Sequence, residues 1–81
     1  MELKQLNPVI KAFKKEVQYD INEHPYYEIS ADYESKGFGY FLRVKTPCIL
    51  HDRDLIILCA FAFRHVLCLE LVNNGAEFIF Y

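Results

Sequence analysis

Leu55-Ile56-Ile57-Leu58-Cys59-Ala60-Phe61-Ala62-Phe63-Arg64-His65-Val66-Leu67-Cys68-Leu69-Glu70-Leu71-Val72 runs without a glycine, proline, asparagine or aspartate, and its reading decides the fold. As one strand it would extend about 60 Å at ~3.3 Å per residue; as a helix it spans about 27 Å at ~1.5 Å per residue. A chain of 81 residues accommodates the second far better. The helical reading puts Asp52 at the N-cap, Asp54 in the first turn against the positive helix end, and Asn74-Gly75 at the stop. A competing reading starts from the alternation of Leu67, Leu69 and Leu71 with Cys68 and Glu70, and from Asn74-Gly75 as a two-residue hairpin signal. Residues 66–81 then form a hairpin with Leu71 opposite Phe78 and Leu69 opposite Phe80, which requires a bend near Arg64-His65 without turn residues. Residues 76–81 are a strand in both readings.

Working outward, Leu6, Ile10, Phe13, Val17 and Ile21 recur at the spacing of one helix face, with lysines between them. Asn7-Pro8 offers a start for this helix and Glu23-His24-Pro25 a stop. Residues 26–34 and 38–46 each alternate apolar and polar, and Ser35-Lys36-Gly37 lies between them, which predicts a β-hairpin. A loop over Glu34–Gly37 pairs Tyr33 with Phe38, Ala31 with Tyr40, Ile29 with Leu42, Tyr27 with Val44 and Glu28 with Arg43. The fold expected is therefore α+β: a three-stranded antiparallel sheet covered by two helices, in the order α-β-β-α-β. The alternative is an N-terminal helix followed by two β-hairpins. The expected core is Ile10, Phe13, Val17, Ile29, Tyr40, Leu42, Val44, Leu55, Leu58, Ala62, Leu69, Phe78 and Phe80.

A chain this short holds one core and one domain, and its 53% hydrophobic content places it clear of disordered compositions. A net charge of −2 and a pI near 5.8 supply no general attraction to nucleic acid or anionic membranes. The first residues lack a signal peptide's basic and apolar regions. Cys48, Cys59 and Cys68 are odd in number and form no C-x-x-C pair. These features predict a cytoplasmic protein without a disulfide framework.

Cys48-x-x-His51 and His65-x-x-Cys68 offer ligand types suited to tetrahedral zinc, in an order unlike the common zinc-finger arrangement. Buried thiols and core histidines are the plainer reading, and no cofactor is expected. Cys48 with His51 is the one thiol–imidazole pair placed for nucleophilic chemistry. No oxyanion-hole glycine run or orienting carboxylate accompanies it, so no enzyme is expected. Phe41, Arg43 and Lys45 would form a stacking and phosphate platform for single-stranded nucleic acid, opposed by the acidic residues on the same strand face.

Residues 16–35 carry six acidic groups and no lysine or arginine. Tyr26, Glu28, Asp32 and Glu34 thus suggest an acidic, tyrosine-bearing edge for a protein with a basic surface. The apolar surplus in 55–72 and at the terminal strand points to self-association through Ile57, Phe61 and Tyr81. The function expected is a non-enzymatic protein-binding module, inhibitor or adaptor in type, forming a homodimer. Zinc binding and single-stranded nucleic-acid binding are the alternatives.

Overall fold

The computed structural model describes residues 1–17, 28–37, 39–45 and 50–81. Helix α1 (Leu3–Glu16) is followed by β1 (Glu28–Glu34), β2 (Gly39–Lys45), helix α2 (Asp52–Arg64), β3 (Leu69–Val72), a short 3-10 turn (Asn73–Gly75) and β4 (Glu77–Phe80). The four strands form one antiparallel sheet in the order β1-β2-β4-β3. This corrects the three-stranded expectation, and the arrangement of two hairpins is the closer description.

The eighteen-residue apolar stretch is helix and strand in succession. Helix α2 stops at Arg64 although no glycine is present, because Val66 itself takes a left-handed conformation (φ 55°). Its amide donates to the Phe63 carbonyl at 3.3 Å and the next amide, Leu67, donates to Ala62 at 2.8 Å. These are the two hydrogen bonds of a Schellman cap, with a β-branched residue where glycine is favoured. The missing turn residue was the objection to the bend, and backbone hydrogen bonds at the helix end supply what the residue type does not. The strand that follows pairs Leu69 with Phe80 and Leu71 with Phe78. Val66 side-chain contacts add little, since it is 92% exposed. Val66→Gly is therefore expected to stabilise the fold by about 1 kcal/mol, the strain of a left-handed L-residue less glycine's extra chain entropy. A higher urea midpoint with an unchanged slope checks this.

Helix α1 begins earlier than Asn7-Pro8 predicts. Glu2 is its N-cap, and Gln5 Oε1 accepts the Glu2 amide at 2.8 Å in a capping box. Pro8 lies inside the helix, and the regular turns end at Glu16; the expected stop at Glu23-His24-Pro25 falls outside the described residues. In α2 the cap is His51 instead of Asp52, and the buried Asp54 carboxylate accepts the His51 amide at 2.9 Å.

The first hairpin turns one residue later than expected. Glu34 pairs with Gly39, Tyr33 with Tyr40, Ala31 with Leu42, Ile29 with Val44 and Glu28 with Lys45. Each pairing moves by two positions, so every side chain stays on its predicted face. Gly39, at φ +75°, takes the left-handed position beside the turn.

One face of the sheet carries Leu42 and Val44 beside Phe78 and Phe80, all fully buried. Phe13 of α1 and Leu58, Phe61 and Ala62 of α2 pack on it in one cluster, with Ile10, Ile29 and Leu69 at its margin. Of the expected core, Ile10, Ile29, Tyr40, Leu55 and Leu69 are only half-buried. Leu6, Val9, Phe41, Phe61 and Ile79 are buried in addition.

Candidate functional site

Asp54, Leu58, Phe61 and Ala62 turn inward from α2, at the i, i+4, i+7, i+8 spacing of one helix face. The opposite side carries Ile56, Cys59, Ala60 and Phe63, all exposed. Ile56 is 69% and Phe63 86% exposed, and Val66 continues the apolar surface just beyond the helix. No charged residue occurs between Asp54 and Arg64. A surface helix of a globular domain ordinarily turns its polar residues outward, so an outward side that is apolar or small from Ile56 to Phe63, beyond Asp52 and Arg53 in the first turn, is the strongest candidate site among the described residues.

This face differs from the residues expected for self-association. Phe61 lies in the core at 0% exposure, Ile57 is half-buried against it, and Tyr81 is half-buried. The Tyr81 amide and carbonyl both pair with Cys68, at 3.1 and 2.7 Å. Strand β4 is also an interior strand, so the sheet edges are β1 and β3 and not the C-terminal strand. Arg53 and Arg64 mark a polar side on a helical wheel only at the two ends of α2. Packing of Phe61 against Phe13 and Phe80, with ring centroids 5.6 and 5.1 Å apart, sets which side faces inward. The buried Asp54 was the readable signal, since a cap residue that folds back over the helix start fixes the inward side one turn before Leu58.

Glu28, Asp32 and Glu34 stand together on β1 at a sheet edge, and Tyr26 lies outside the described residues. The carboxylates are engaged within the sheet. Lys45 Nζ is 3.9 Å from Glu28, Arg43 Nη2 is 4.0 Å from Asp32, and Glu34 accepts the Lys36 amide at 2.7 Å. Glu28 pairs with Lys45 instead of Arg43 because of the register shift. Phe41 is 6% exposed and Arg43 lies over its ring, while Lys45 sits between Glu28 and the buried Glu77. The three residues of the nucleic-acid platform are thus placed in ring contact and ion pairs on the sheet.

His51 caps α2, Cys59 and Cys68 are exposed free thiols, and Cys48 lies outside the described residues. Among the described residues no three His, Cys, Asp or Glu side chains are grouped to hold a metal ion. His65 is engaged elsewhere. Its Nε2 lies 3.0 Å from Glu16 Oε2, while Glu16 Oε1 accepts from Arg64 Nη2 at 3.0 Å and Nε at 3.2 Å. A carboxylate only accepts, so Nε2 is the protonated nitrogen. This three-residue clasp joins the C-terminal ends of α1 and α2. Burial raises the Glu16 pKa, but the Arg64 and His65 hydrogen bonds and charges outweigh it and hold the carboxyl below its ordinary value of 4.5. Stability from the clasp is therefore present above pH 4.5 and lost as pH falls through the lowered value. Glu16→Gln is expected to cost about 1 kcal/mol near neutral pH, as partly exposed charge-assisted pairs do, and progressively less on acidification. Urea melts of both proteins across the acid range measure the convergence.

Comparison with protein-family models, curated proteins and solved structures gives no match. Among the described residues, no helix is long and apolar enough to cross a membrane.

Proposed function

We propose that this protein is a non-enzymatic protein-binding module, of the inhibitor or adaptor kind, that self-associates. The observation that carries the reading is the outer side of α2 from Ile56 to Phe63, which holds no charged residue and leaves Ile56 and Phe63 largely exposed. Burying a large apolar side chain contributes about 1.5–3 kcal/mol, so leaving two of them in water favours a partner that covers them. The β1 edge, with Glu28, Asp32 and Glu34, is the second surface, offered to a partner with a basic face.

Light scattering over about 1 to 500 µM, the range of weak protein dimers, tests the first half. The wild-type mass is expected to rise from 9.6 kDa toward twice that value. The Ile56→Ser/Phe63→Ser double variant is expected to stay monomeric and to melt like wild type at concentrations low enough that wild type is also monomeric, because both side chains lie outside the core cluster. A wild-type chain that stays monomeric throughout refutes self-association. For the second half, Glu28→Gln/Asp32→Asn/Glu34→Gln is expected to lose a host protein that the Ile56→Ser/Phe63→Ser variant still captures.

A further inference from the structure

Three consecutive residues in the turn between β3 and β4 take left-handed backbone, Asn73 at φ 53°, Asn74 at 58° and Gly75 at 85°. We infer that Asn74 is a deamidation site that this native turn holds closed, so that modification at 74 follows opening of the β3–β4 hairpin.

The chemistry needs only water. The Gly75 amide nitrogen gives up its proton and attacks Cγ of Asn74, an N–Cγ bond forms, the Cγ–Nδ2 bond breaks, and the departing nitrogen takes up a proton and leaves as ammonia. Water then opens the resulting succinimide at either carbonyl, which yields aspartate or isoaspartate at position 74 without any change of oxidation state. Residue type selects the site. The sequence holds four asparagines, and only Asn74 precedes glycine, whose missing Cβ leaves the attacking nitrogen unhindered. Asn7 precedes Pro8, whose nitrogen has no hydrogen to lose. Asn73 donates from Nδ2 to the buried Glu77 carboxylate, which pins its side chain.

Geometry keeps the site closed. The five-membered ring forms only when the Gly75 nitrogen stands nearly eclipsed with Cβ about the Asn74 Cα–C bond. At ψ 32° it stands almost opposite Cβ instead, although Asn74 is exposed to water. Reaching the reactive arrangement takes nearly half a turn of ψ, and three contacts resist it. The Ala76 amide donates to the Asn73 carbonyl at 3.1 Å, Asn73 donates to Glu77, and Val72 pairs with Glu77 at the strand ends. Opening is accessible because β3 is a four-residue strand at the sheet edge. The two products differ in consequence. Aspartate suits a left-handed position as asparagine does. Isoaspartate carries the main chain through its Cβ, and the lengthened turn no longer matches the Leu71–Phe78 and Leu69–Phe80 pairs.

The test holds the full chain in mildly alkaline buffer, either native or unfolded in urea. Mass spectrometry follows the fragment containing residues 74 and 75, and enzymatic methylation distinguishes isoaspartate. Modification at 74 is expected to be at least about tenfold slower in the native protein, in proportion to the time the hairpin spends open. Asn73→Asp sets a carboxylate against Glu77 yet suits a left-handed residue, and is expected to speed the native reaction several-fold while leaving the unfolded rate unchanged. Circular dichroism verifies that this variant folds. The isolated isoaspartate form is expected to unfold at lower urea than the aspartate form. Equal native and unfolded rates, or a native rate that Asn73→Asp leaves unchanged, overturn the closed turn. An unfolded chain that stays unmodified at 74 overturns the site itself, and equal stability of the two product forms overturns the effect on strand pairing.

Discussion

Phe13→Ala is expected to lower the unfolding free energy by about 3–5 kcal/mol, the loss typical of a large aromatic removed from a core. Phe13 is fully buried and lies within 5.6, 5.8 and 6.1 Å, centroid to centroid, of Phe61, Phe80 and Phe78. Its ring meets aromatic rings of both α2 and β4, joining α1 to each. Edge-on and tilted contacts of this kind add to the burial term, and three of them end on one ring. At roughly 0.05–0.15 kcal/mol per residue, a chain of this length has about 4–12 kcal/mol of stability in total. The variant therefore loses a large share of it and unfolds at a much lower urea concentration. Leu3→Ala on the same helix is the control: Leu3 is exposed, and its removal is expected to change stability by no more than about 0.5 kcal/mol. Equal effects at the two positions would mean that the aromatic cluster does not organise the core.

The sequence shows the period of each element more clearly than its ends. Alternation in 26–34 and 38–46 identifies both strands and both faces, and a shift of the turn by one residue leaves those faces unchanged. The cross-strand partners change instead, so Tyr33 meets Tyr40 and Glu28 meets Lys45. The helix starts are misread for one reason: Asn7 and Asp52 are good cap residues by type, yet both true caps, Glu2 and His51, rely on a reciprocal side chain three residues on. The switch from helix to strand at Val66 leaves no mark in residue type at all. It depends on tertiary pairing, with Leu69 and Leu71 finding Phe80 and Phe78, and that pairing outweighs one strained residue. The candidate face on α2 is hard to read for the opposite reason. In 55–63 every residue is apolar, so the pattern contains no polar side to point outward, and the inward turn of Asp54 one turn earlier, with the packing of Phe61 on Phe13 and Phe80, decides that Phe61 goes in and Phe63 stays out.

Gly39→Ala is expected to destabilise by about 2–4 kcal/mol, more than a positive φ alone explains. Gly39 has φ +75°, and an added Cβ would lie 2.9 Å from the Met1 carbonyl oxygen, closer than a methyl group tolerates. That oxygen accepts the Tyr40 amide at 3.0 Å, and the Met1 amino group donates to the Tyr40 carbonyl at 2.8 Å. Tyr40 lies two residues before Leu42, which pairs with Phe80 at the end of β4. Met1 thus supplies β2 with backbone partners where β4 no longer reaches, and it brings the start of α1 against the sheet. Alanine at 39 must either move this segment or distort β2. Gly75 separates the two contributions, because its φ is +85° and nothing lies within 4 Å of where a Cβ would be. Gly75→Ala is expected to incur the conformational term only, about 1 kcal/mol. The excess at position 39, together with faster hydrogen exchange of the Tyr40 amide in Gly39→Ala alone, measures what the Met1 pairing contributes. Equal losses at 39 and 75 would show that β2 holds its conformation without it.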